Sequence, residues 1–137
     1  MRRYKVDEIE GIGPAMADRL RKAGVRTLND LLESGCHRQG RAGLAAATGI
    51  AESTILKWVN MADLFRVRGV GSEYSELLER AGVDTVKELR TRNPENLHSK
   101  IAEVNATGRG LVRQLPGLKR VASWTKAAKR LAPKVTY

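Results

Sequence analysis

The 137-residue chain repeats itself, and that constrains its fold more than any other feature. Ile9-Glu10-Gly11-Ile12-Gly13 returns 58 positions later as Val67-Arg68-Gly69-Val70-Gly71. The match continues through Leu20 and Leu78, Ala23-Gly24-Val25 and Ala81-Gly82-Val83, Thr27 and Thr85, and Leu31 and Leu89, giving eight identities over the 24 positions 9–32. Further on, Trp58 and Ala62 find counterparts in Trp124 and Ala128 at an offset of 66. The second copy therefore holds about eight more residues, most simply placed in the glycine-rich stretch 105–110. Two units follow, 1–64 and 65–137. Each is small for an independent core, so they are expected to pack on each other.

Within each unit the apolar spacing is helical. Met16, Leu20 and Ala23 recur at i, i+4, i+7, as do Ile55, Val59 and Ala62, and Leu97, Ile101 and Val104. Gly24 and Gly82 stand where a helix ends in a left-handed residue. Thr85-Val86-Lys87-Glu88 reads as a capping box, and Thr27-Leu28-Asn29-Asp30 as a looser one. Asn93-Pro94 reads as an N-cap followed by proline at the first helical position. No segment alternates with β-branched enrichment. The expected architecture is all-α, with no sheet.

Both glycine pairs precede a helix ending in Ala-Gly-Val. Hydrophobic-Gly-hydrophobic-Gly between two helices resembles the helix-hairpin-helix motif. Two weaker hairpins, Thr48-Gly49-Ile50-Ala51 and Leu115-Pro116-Gly117-Leu118, complete two hairpins per unit. The whole resembles the tandem helix-hairpin-helix (SAM-like) domains of DNA-repair and DNA-processing proteins. It looks most like a bacterial family of small duplicated helix-hairpin-helix proteins of uncharacterised function. The resemblance implies that amides at the turn and at the following helix start could hold a backbone phosphate, helped by the helix dipole. Flanking charge separates the four hairpins. Asp7, Glu8 and Glu10 precede the first, and Glu52 follows the second. The Gly69 hairpin has Arg66 and Arg68 before it but Glu73 and Glu76 after it. Only the Gly117 hairpin leads straight into Lys119-Arg120. For the first two, tight turns without a ligand are the favoured reading; for the Gly69 and Gly117 hairpins both readings stay open.

Composition matters here only through its distribution. The chain has 25 Lys+Arg and 15 Asp+Glu, a net charge of +10. Residues 1–64 hold ten basic and eight acidic side chains, and residues 65–105 hold seven of each. Residues 106–137 hold eight basic side chains and no acid. On a helical wheel Lys119, Arg120, Lys126, Lys129 and Arg130 cover about half the circumference, with Val121, Trp124, Ala128 and Leu131 opposite. Pro133 ends this helix, and Arg109 and Arg113 could extend the patch. Such a face suits a polyanion.

The expected function is non-enzymatic, sequence-nonspecific nucleic-acid binding, with duplex DNA favoured over RNA. The residues expected to carry it are Arg66, Arg68, Gly69, Val70, Gly71, Gly117, Leu118, Lys119, Arg120, Lys126, Lys129 and Arg130. The alternative is a protein-interaction adaptor with structural hairpins and an acidic partner. Base-specific readout has no Asn/Gln reading set behind it. Neither Cys36-His37 nor His98 has metal-ligand spacing, no phosphate-loop signature follows the glycines, and no cofactor or small-molecule substrate is expected. The catalytic Lys and Asp of related glycosylases have no counterpart after Gly13 or Gly71. Trp58 and Trp124 read as core residues. No apolar run reaches the roughly 18–20 residues of a membrane span. The lone cysteine and the absence of a signal-like start point to a soluble cytoplasmic protein.

Overall fold

A computed structural model describes residues 4–107, 112 and 114–137. Among these the chain is all-helical. A short 3-10 turn, Val6–Glu8, precedes α1 (Pro14–Lys22), α2 (Leu28–Gly35), α3 (Arg38–Thr48), α4 (Glu52–Leu64), α5 (Ser72–Arg80), α6 (Val86–Leu89), α7 (Pro94–Thr107) and α8 (Leu118–Ala128). Among the described residues the one β-type pairing is an isolated antiparallel bridge between Lys5 and Thr27.

The chain clusters into two compact units. One runs to Asp63 and includes Lys134–Tyr137; the other is Leu64–Pro133. The four last residues, read from sequence as a tail of the second unit, are thus grouped with the first. Thr136 donates its amide to the Cys36 carbonyl at 2.7 Å. Its own carbonyl accepts from the buried Arg41, whose other nitrogen donates to the Gly35 carbonyl. Cys36 itself is the C-cap of α2.

The duplication is visible bond by bond. Ile12 N–H donates to Ile9 and Val70 N–H to Val67; Ala17 to Gly13 and Ser75 to Gly71; Val25 to Leu20 and Val83 to Leu78. Gly11 and Gly69 have φ of 98° and 89°, and Gly24 and Gly82 have 88° and 90°. Only the first glycine of each pair is left-handed. Gly13 and Gly71 are extended N-caps of α1 and α5.

Two local expectations change places. The reciprocal capping box is at Thr27, where the Asp30 amide reaches the Thr27 hydroxyl and the Asp30 carboxylate accepts from the Thr27 amide. At Thr85 only half of it forms, because the Glu88 carboxylate is drawn to Arg92 at 2.9 and 3.1 Å. Asn93 caps α7 as expected, its side chain accepting from the Asn96 amide.

In the first unit α2 packs on α3, and α1 on α3 and on the 3-10 turn. Gly40 lets α3 approach the end of α2: a Cβ there would lie 2.0 Å from the Ser34 carbonyl oxygen. In the second unit α7 and α6 pack on α8, and α5 on α7. Their core gathers Leu77, Leu78, Val83, Leu89, Leu97, Ile101, Val121, Trp124 and Ala128.

Candidate nucleic-acid interface

All the residues expected to bind nucleic acid fall within Leu64–Pro133, so one unit holds the whole candidate site. Its axis is α8. Val121, Trp124, Thr125 and Ala128 are buried, while Lys119, Arg120, Lys126, Lys129 and Arg130 are exposed. The apolar stripe explains why the cations face water: burying Trp124 fixes the rotation of the helix.

Normally a face like this is partly neutralised by acids one turn away. Here it is not. The described ion pairs of this unit lie away from α8, at Arg80–Glu76, Arg92–Glu88 and Lys100–Glu103. Among the described residues no carboxylate pairs with any of the five α8 cations. Arg109 and Arg113 lie outside the described residues.

The start of α8 is also bare of negative charge. Gly117 is an extended N-cap that offers no capping side chain, and no acid occupies the first turn. The first-turn N–H groups have no intrahelical acceptor, and the dipole is positive there. Gly71 caps α5 in the same way, but Glu73 sits in that first turn and already complements the dipole. Gly49 is left-handed, closing α3 within the turn that joins it to α4.

The two halves of the candidate site meet through aromatic side chains. A Cβ on Gly69 would lie 3.4 Å from the Trp124 indole nitrogen, so the Gly69 turn packs directly on α8. Tyr74, in the first turn of α5, has its ring 5.1 Å from that of Trp124. Arg120 donates to the Tyr74 hydroxyl at 3.1 Å and lies 5.8 Å from the ring centroid. An open groove of about 550 Å³ results, lined by Tyr74, Leu115, Gly117, Lys119, Arg120 and Ser123, among others.

The profile of a domain of unknown function, DUF4332, matches residues 10–131, most of both repeats. The chain belongs to that family. No curated protein and no solved structure matches it. In this DUF4332 chain no helix of the described residues is long and apolar enough to cross a membrane. None of its described His, Cys, Asp and Glu side chains group as a metal site.

Three of the expected site residues are already engaged within this DUF4332 fold. The Val70 amide is donated to Val67 and its side chain is buried, so that amide is not on offer to a phosphate. Arg66 donates to the Ala132 carbonyl at 2.7 Å, closing the turn after α8. Arg120 is shared with Tyr74. Arg68, Leu118, Lys119, Lys126, Lys129 and Arg130 are exposed. Sequence reasoning missed Tyr74 and Ser123. Tyr74 falls at an ordinary half-buried helix position, and only the packing of α5 on Trp124 reveals its link to Arg120.

Proposed function

We propose that the second unit is a helix-hairpin-helix module that binds nucleic acid, preferably duplex DNA, without sequence specificity and without catalysis. One observation carries this: five cations on α8 and its last turn that no described carboxylate neutralises, beginning at an acid-free helix N-terminus. Phosphates would lie along Lys119, Lys126 and Arg130, which share one stripe of the helix, with Arg120 and Lys129 to either side. The amides that follow Gly117 would take a further phosphate at the end of that stripe. Lys and Arg without a base-reading amide set contact backbone and not base edges. A lone half-exposed thiol, Cys36, suits a reducing compartment such as the cytoplasm.

Titration of a fluorescent random duplex over a salt series tests this. Each phosphate contact contributes a slope of about −0.9 in log K against log salt. Lys126→Glu/Lys129→Glu/Arg130→Glu is expected to flatten the slope by about 2.7 and to weaken binding at low salt at least a hundredfold. No binding at low salt, or an unchanged slope in the triple variant, would overturn the proposal.

Leu115 and Leu118 favour the second reading, an adaptor for an acidic protein. They are 40% and 42% exposed on either side of Gly117, where a phosphate needs no apolar contact. A stoichiometric protein partner that survives nuclease treatment, and is lost in Leu115→Ser/Leu118→Ser, would support the adaptor instead.

A further inference from the structure

The first unit has its own cluster of cations, beside the acids that precede its first hairpin. Lys5, Arg21, Arg26 and Thr27 line a cavity of about 310 Å³. Their backbone is held firmly. Val6 N–H donates to the Arg26 carbonyl at 3.1 Å and Leu28 N–H to the Tyr4 carbonyl at 2.9 Å, so Lys5 stands opposite Thr27 across the antiparallel bridge. Arg21 comes from the last turn of α1.

We propose that this pocket binds a phosphate group. Among the described residues no carboxylate pairs with the Lys5 ammonium or the Arg26 guanidinium. Arg21 has one ion pair, to Asp7 at 3.5 Å, in a pair that is 38% and 47% exposed. One contact leaves most of a five-donor guanidinium available. Two further acids are folded onto the backbone: Glu8 accepts from the Lys5 amide at 2.7 Å, and one Asp30 carboxylate oxygen accepts from the Arg26 and Thr27 amides at 3.1 Å each. The Thr27 hydroxyl accepts from the Asp30 amide and makes no described donation of its own. Two guanidinium forks, an ammonium and a hydroxyl around one cavity form the donor set that a phosphate oxyanion needs.

The duplication supplies an internal control. Positions 58 residues on from Arg21 and Arg26 are Glu79 and Asp84, while Thr27 is matched by Thr85; the position 58 on from Lys5 is Asp63, which lies in α4 of the first unit and has no equivalent place. The turn bond and the threonine half of the helix cap recur in the second copy with Arg21 and Arg26 replaced by acids. The fold therefore does not require cations at these places. Their convergence on one cavity is a property of the first copy alone, and it calls for an anion. The inference is independent of DNA binding by α8, because it uses none of the same residues.

The phosphate could belong to a small molecule or to a nucleic-acid backbone, and amide chemical-shift titrations of the full chain distinguish these. The probes are inorganic pyrophosphate and a short duplex, added separately to a chain carrying Lys126→Glu/Lys129→Glu/Arg130→Glu, which removes most of the α8 charge. Saturating shifts at Lys5, Arg21, Arg26 and Thr27 are expected with pyrophosphate. Lys5→Asp/Arg26→Asp, which reverses the charge at two exposed positions, is expected to weaken that binding at least tenfold, about the loss of one charge-assisted contact. If the duplex produces the same shifts and pyrophosphate displaces it, the pocket takes backbone phosphate; if only pyrophosphate binds, it takes a small phosphate ester. Linear, unsaturated shifts with both probes, or affinity unchanged within twofold in Lys5→Asp/Arg26→Asp, would overturn the proposal.

Discussion

Replacing Gly117 by Asp should make the protein more stable and a poorer DNA binder at once. Gly117 has φ −69° and ψ 163°, the extended geometry of an N-cap, and a Cβ added there meets nothing within 4 Å. An aspartate fits without strain, and its carboxylate can accept from the amides of the first turn. Relative to glycine that gains a few tenths of a kcal/mol as a cap. A further gain of about 0.3–1 kcal/mol comes from the helix dipole. Together these should raise the melting temperature by about 2–4 °C. The same carboxylate occupies the place of the proposed phosphate and removes one or more charge-assisted hydrogen bonds, about 1.5–3 kcal/mol each. Binding of a random duplex should therefore weaken about tenfold to a hundredfold. Gly13→Asp is the matched control. Gly13 caps α1 with φ −77° and ψ 176°, and its Cβ position is equally open. It changes the net charge identically and should stabilise α1 similarly, yet it should leave duplex affinity within twofold. Thermal melts and fluorescence anisotropy at one fixed salt concentration read both effects. Equal binding by Gly117→Asp and Gly13→Asp would refute the assignment of a phosphate to the start of α8.

Gly40→Ala should destabilise the first unit by about 3 kcal/mol, since its Cβ would strike the Ser34 backbone carbonyl. Gly43→Ala, in open space on the same helix, should instead add about 1 kcal/mol; chemical denaturation compares them. Gly11→Ala and Gly69→Ala should each cost about 1–2 kcal/mol, because both glycines are left-handed. Only Gly69→Ala should also move the Trp124 indole N–H resonance, since only that Cβ reaches the ring.

The helices and the register of the duplication were legible because they depend on local chemistry. Gly24 and Gly82, the Asn93-Pro94 start of α7, and the apolar stripe of α8 each announce a backbone geometry within a few residues. Side-chain allegiance was less legible. Glu88 had a threonine three residues before it and an arginine four after, and the arginine won. Arg66 looked like a phosphate ligand, but the chain after α8 returns its Ala132 carbonyl to it. Nothing near residue 41 signals that Arg41 is buried, because its partners are Gly35 and the distant Thr136. In each case the deciding partner is a backbone carbonyl or a charge that only tertiary packing brings close. The same holds for the phosphate pocket of the first unit. Lys5 and Arg26 are separated by a whole helix, and the bridge between Lys5 and Thr27 joins them.

The two copies separate what a duplicated hairpin must keep from what it can change. The left-handed glycines, the bonds from Val25 to Leu20 and from Val83 to Leu78, and the threonine caps are retained because each satisfies backbone groups that would otherwise be lost. The charges around them carry no such obligation, and there the copies diverge furthest. The first places Arg21 and Arg26 where the second places Glu79 and Asp84, and the second carries its cations on α8 instead. Equal hairpins with opposite surroundings cannot share one ligand through the hairpin alone. A phosphate would be selected in each unit by whichever face has escaped neutralisation: the Lys5–Thr27 cavity in one, the exposed stripe of α8 in the other. Reversing charge on one face should therefore leave the other face's binding intact, and a chain in which both losses always appeared together would show that the copies act as one site.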